Sequence, residues 1–132
     1  MENDPDEHTL EFLLAFDGMF YGMEDGYWIK FEIRRTERTE ERPHGLRYSL
    51  TLHEPNGKRL MGFDNAHRVQ TSRGRPIVAD HWHRTSDDEG RPYAFKNADT
   101  LLADFFREVR RILGEKGLSD RILSTGTKGG SA

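Results

Sequence analysis

Several stretches of the chain alternate apolar and polar residues with period two, and one stretch near the C-terminus repeats apolar residues with period 3.6. The cleanest alternation sets Leu46, Tyr48, Leu50 and Leu52 against Arg47, Ser49, Thr51 and His53, which predicts a strand with one buried and one wet face. Tyr27, Ile29, Phe31 and Ile33 alternate in the same way with Trp28, Lys30, Glu32 and Arg34. Upstream, Leu10, Phe12, Leu14 and Phe16 alternate, followed by Met19, Phe20 and Tyr21. Leu10, Leu13 and Leu14 also suit a helix, but Gly18, Gly22 and the aromatic residues favour a strand. That strand would form a hairpin with the next through Glu24-Asp25-Gly26.

Pro55-Asn56-Gly57 supplies a tight turn, and Lys58 to Phe63 returns as a further strand. A polar, Arg-rich stretch follows, with residues 66–79 a candidate mobile loop. Ile77 to Arg84 then reads as a short strand, and Arg91 to Phe95 as another. Leu101, Leu102, Phe105, Phe106, Val109, Ile112 and Leu113 form a wide helical stripe over residues 98–113, capped by Asn97 or Asp99 and ended by Gly114 or Gly117. Strands first and a helix last predict an α+β domain. Its architecture would be an antiparallel meander of about five strands with the helix packed on the apolar face. Residues 9–117 would form this domain, flanked by a disordered acidic tail at 1–8 and a flexible C-terminal tail at 118–132.

The chain has 132 residues, enough for one core without staples. It has no Cys, which removes disulfides, thiolate metal sites and Cys nucleophiles together. No apolar run approaches the ~20 residues of a membrane helix, and the acidic start lacks the apolar region of a secretory signal. A cytoplasmic protein is expected. The net charge is -3, yet Lys58, Arg59, Arg68, Arg73, Arg75 and Arg84 face only Asp64 and Asp80 within their window. That local excess of cations would draw a phosphate-bearing ligand.

Phosphate-loop, dinucleotide and zinc-protease motifs do not occur. Two clusters remain: Gly62-Phe63-Asp64-Asn65 at the end of one strand, and Asp80-His81-Trp82-His83 in another. His81 and His83 share one face of an extended strand. Such a pair can act as acid and base about a phosphodiester, can ligate a metal if Asp64 or His67 completes the set, or can be plain polar surface. His67 reads as a loop residue, and His8, His44 and His53 have no partners in the sequence. Arg47, Arg59 and Arg84 are candidate phosphate clamps. As exposed residues, the two histidines should be replaceable without loss of folding.

These pieces together resemble one family. The aromatic hairpin, His44-Gly45-Leu46-Arg47-Tyr48-Ser49-Leu50, the Phe63-Asp64-Asn65 strand end, Asp80-His81-Trp82-His83, Pro92-Tyr93-Ala94-Phe95 and Leu102-Ala103-Asp104-Phe105 occur in the order of the TumE-like family. These proteins are the toxin halves of TumA–TumE type II toxin–antitoxin modules. The resemblance covers about residues 10–113, and the stretch between Asn65 and Asp80 is longer than in the relatives, so only Asp64, Asn65, His81 and His83 are carried over. It implies a helix-turn-helix antitoxin as partner and an action on RNA, by cleavage or binding. The expected site is His81 and His83 as acid and base, Asp64 and Asn65 orienting them or the substrate, and Arg47, Arg59 and Arg84 holding phosphate. No cofactor is expected, and with no Cys and few further ligands the reaction would be metal-independent. A homodimer is compatible with exposed sheet edges. The competing expectation is a non-enzymatic interaction protein that binds its helix-turn-helix partner.

Overall fold

A computed structural model describes residues 11–38, 45–65, 80–87 and 90–127. The acidic tail at 1–8, the loop at 66–79, His67 and the last residues of the C-terminal tail lie outside the described residues. The strands are β1 (Met19–Met23), β2 (Trp28–Arg35), β3 (Leu46–His53), β4 (Arg59–Asp64), β5 (His81–His83) and β6 (Arg91–Pro92). The helix α1 (Ala98–Glu115) follows, and then strand β7 (Ile122–Thr127). All described strand pairs are antiparallel, in the spatial order β6-β5-β4-β3-β2-β1-β7. The fold is α+β, as the alternating patterns predict.

The core forms where the apolar face of the sheet meets the apolar stripe of α1. Leu46, Tyr48, Leu50 and Leu52 of β3 are all buried on that side, as are Ile29, Phe31 and Ile33 of β2. Phe105 reaches both Phe31 and Phe63, with ring centroids 6.1 and 6.2 Å apart in edge-to-face geometry. Asn97 caps the helix by accepting from the Thr100 N–H at 2.8 Å. Gly117, at φ +69°, ends it, with the Gly117 N–H donating to Gly114 C=O and the Leu118 N–H to Leu113 C=O. Leu118 packs back onto the core beside this cap.

Three expectations are corrected. Residues 11–14 are helical and lead through a turn to Met19, so the first strand is shorter than the alternation suggested. The helical period wins because it buries Leu13 completely while leaving Glu11 and Phe12 outside. The sheet has seven described strands rather than about five. The added β7 comes from Ile122–Thr127, within the stretch read as a flexible tail, and pairs with β1 through backbone hydrogen bonds although all six of its residues are exposed.

Candidate functional site

The face of the sheet turned away from α1 carries the chemistry. In the β4–β5 ladder Gly62 lies opposite His83, Phe63 opposite Trp82 and Asp64 opposite His81. Phe63 and Trp82 point to the core side, where their rings stack at 5.8 Å and the Arg91 guanidinium lies 5.8 Å over the indole. Strand alternation therefore sends Asp64, His81 and His83 to the opposite face. There the Asp64 carboxylate sits between the two imidazoles. Its Oδ2 is 2.8 Å from His83 Nε2, and its Oδ1 is 3.9 Å from His81 Nδ1.

Both rings are buried, with His81 2% and His83 7% exposed, which corrects the expectation of surface histidines. Gly90 contributes to this cover. A Cβ built on it would lie 3.0 Å from His83 Cε1 and 3.4 Å from His81 Cβ, and its φ of +122° suits glycine alone. His81 Nε2 and Asp64 Oδ1 are buried without a hydrogen-bond partner among the described residues. Unsatisfied polar atoms at such depth are costly in a structural role, and they accumulate where chemistry is done.

Asn65 has a different job. Its Oδ1 accepts from the Tyr48 N–H at 2.9 Å, and its Nδ2 donates to Leu46 C=O at 2.7 Å. The side-chain amide thus continues the β3–β4 ladder past the end of β4 and holds Asp64 in register. On the core side, Tyr48 donates its hydroxyl to Asp80 Oδ2 at 2.6 Å, which anchors the residue just before His81. Burial first, and the Asp80 carboxylate second, hold the Tyr48 hydroxyl well above the ordinary tyrosine range, so it stays a donor.

Of the three arginines expected at the site, Arg47 lies on the same face, next but one along β3 to Ser49, the residue opposite Asp64. The Cδ of Arg59 lies 3.7 Å from where a Gly62 Cβ would be, so its stem runs along the strip beside His83. Arg84 is exposed just past the end of β5. Among the described residues, no group of three or more His, Asp or Glu side chains is arranged to hold a metal ion.

Sequence reasoning missed an aromatic row on this face. Trp28 and His53 stack with centroids 4.1 Å apart and planes at 10°, and Phe20 lies 5.9 Å from Trp28. His53 is fixed through Nδ1 to Gly57 C=O at 3.0 Å and Nε2 to Thr51 Oγ1 at 2.8 Å. Desolvation lowers its pKa from the ordinary value. The available signal was Trp28 itself, an indole in the polar register of β2.

A small α+β protein thus carries a buried carboxylate–imidazole cluster on the sheet face turned away from α1. The chain belongs to the TumE toxin family: residues 3–113 match the family described as "Toxin TumE". It is thus a toxin-like component of a toxin–antitoxin module, with an antitoxin as its partner. No helix among the described residues is long and apolar enough to cross a membrane. No curated protein and no solved structure matches the chain.

Proposed function

We propose that this toxin acts on RNA as an endoribonuclease, with His83 as general base, His81 as general acid and Asp64 positioning both. The observation that carries this reading is the Asp64 carboxylate between the two imidazoles, 2.8 Å from one and 3.9 Å from the other. His83 takes the proton of a 2′-hydroxyl, and the resulting oxygen attacks the adjacent phosphorus. The P–O5′ bond breaks, and His81 protonates the leaving 5′-oxygen through Nε2. The products are a 2′,3′-cyclic phosphate and a 5′-hydroxyl, and the proton count closes on the two imidazoles. Asp64 faces the positive charge that the base acquires. Arg47, Arg59 and Arg84 hold the phosphate chain, and Asn65 contributes by fixing the strand end. Because both rings are nearly covered, the cover that includes Gly90 opens to admit substrate.

The test is induction in a bacterial host without the antitoxin, comparing wild type with His81→Gln and His83→Gln. Glutamine is chosen because the sites are buried and an alanine would leave Asp64 without its partner. Growth arrest with RNA fragmentation is expected from wild type and from neither variant, although both accumulate as folded protein. Equal toxicity of a folded His81→Gln variant would overturn the assignment.

A further inference from the structure

We infer that the sheet face away from α1 is a platform for single-stranded RNA, with bases stacking on Trp28 and Phe20 while the phosphate chain crosses to the histidine pair. This rests on the ribonuclease reading and adds to it the form of the substrate. The strand registers arrange this face in cross-strand rows. Arg34 lies opposite Arg47; Glu32, Ser49, Asp64 and His81 form the next row. Phe20, Lys30, Thr51, Gly62 and His83 form the third, and Trp28, His53 and Arg59 the fourth. Successive rows are about 7 Å apart, twice the strand rise. The histidines therefore lie in the middle rows, 2% and 7% exposed beneath the cover that opens for substrate, with Arg34 and Arg47 on one side and Trp28 and Arg59 on the other.

Two independent features point to a polyanion with flat bases. The first is charge. Arg34 and Arg47 are exposed, directly opposite each other, and have no ion pair among the described residues. Like charges facing across a ladder repel, and an anion between them removes that cost. Arg59 likewise has no carboxylate partner among the described residues, whereas Glu32, a half-buried acid of this face, is taken by Lys30 at 2.6 Å. A positive face on a chain of net charge -3 is a local feature rather than a bulk one.

The second is the aromatic row. Trp28 and Phe20 are only partly covered, and both occupy polar-register positions where core packing does not require them. His53 on one side and the Nε1–H donated to Glu54 C=O at 3.1 Å hold the indole rigidly. A pre-fixed ring loses little entropy when a base stacks on it. From Phe20 on β1 to His83 on β5 the row spans four interstrand steps, about 19 Å. A flexible single strand follows the twist of such a sheet, whereas a stiff duplex hides its bases from it.

The test uses the chain's two tryptophans. Trp82 faces the core, so a Trp82→Phe protein reports Trp28 alone. With His81→Gln added to prevent cleavage, it is titrated with a mixed-sequence single-stranded RNA of about ten nucleotides, and separately with the same RNA as a duplex. Single-stranded RNA should quench Trp28, and the duplex should bind at least about tenfold more weakly. Phe20→Ala should weaken single-strand binding about 5- to 150-fold, the range of one base stack. Arg59→Ala should lower the slope of log K against log salt by about 0.7, one phosphate contact on a single strand. Unchanged Trp28 emission on RNA binding would overturn the platform, as would equal affinity for duplex. So would quenching by the antitoxin with none by RNA, since the face would then be a protein-docking surface. Cleavage by wild type without Trp28 quenching would refute the platform alone, and quenching without cleavage would refute the ribonuclease reading alone.

Discussion

Replacing Asn65 separates a structural from a chemical role at the strand end. The residue is 4% exposed, and its amide makes hydrogen bonds of 2.9 and 2.7 Å to the Tyr48 N–H and Leu46 C=O. Asn65→Ala removes both and strands two backbone groups of β3 away from water. Each such group costs about 1–3 kcal/mol, so the variant should lose about 2–6 kcal/mol. Asn65→Asp keeps the acceptor for Tyr48 but turns an oxygen on the Leu46 carbonyl at the short contact distance. It should be at least as destabilised as alanine at neutral pH, and should recover part of the loss at low pH, where a protonated carboxyl can donate. Urea unfolding followed by circular dichroism measures this, as a lowered midpoint with unchanged slope. Because the amide positions Asp64 without touching substrate, both variants should still cleave RNA well below their unfolding temperatures, at a reduced kcat. A stability change within about 0.5 kcal/mol together with lost cleavage would refute the reasoning and move Asn65 into the reaction.

Tyr48→Phe deletes the hydroxyl that donates to Asp80 at 2.6 Å, and a thermal melt should show a loss of about 1.5–3 kcal/mol, the range for a hydrogen bond to a charged group. A melting temperature equal to wild type would show that Asp80 does not depend on this anchor. The pKa of His53 is lowered, by desolvation first, so the unfolded chain binds its proton more readily than the fold does. Its contribution to stability is complete above the ordinary value of 6.5 and is lost as pH falls through the lower folded value. A His53→Gln variant should therefore show a flatter stability profile between pH 6.5 and that lower value, and an unchanged slope there would contradict the assignment.

The parts of the fold that could be read from the chain are those in which one residue pattern has one physical solution. In β3, leucines alternate with polar residues and only a half-buried strand satisfies both; in α1 the apolar residues line a single helical face. Residues 10–16 fit both periods, and the choice fell to tertiary burial of Leu13, which no local pattern contains. Strand β7 carries Ser-Thr-Gly-Thr, a linker-like composition, because an edge strand paired through its backbone asks little of its side chains. The shared face of His81 and His83 followed from their spacing. Their burial did not, since Gly90 meets them from across a turn, and Tyr48 meets Asp80 from 32 residues away. Asn65 was recognisable as a strand-end polar residue, but what its amide bonds to depends on the register of β3 against β4.

If the cluster of Asp64, His81 and His83 cleaves RNA through its 2′-hydroxyl, the ends of the products report it directly. Purified wild type and His81→Gln, each shown folded by circular dichroism, are incubated with a single-stranded RNA and with DNA of the same sequence, and the product ends are identified by mass spectrometry. RNA ending in 2′,3′-cyclic phosphate and 5′-hydroxyl, intact DNA and an inactive His81→Gln are the predicted result. Intact RNA, 3′-hydroxyl ends, or undiminished cleavage by folded His81→Gln would contradict it.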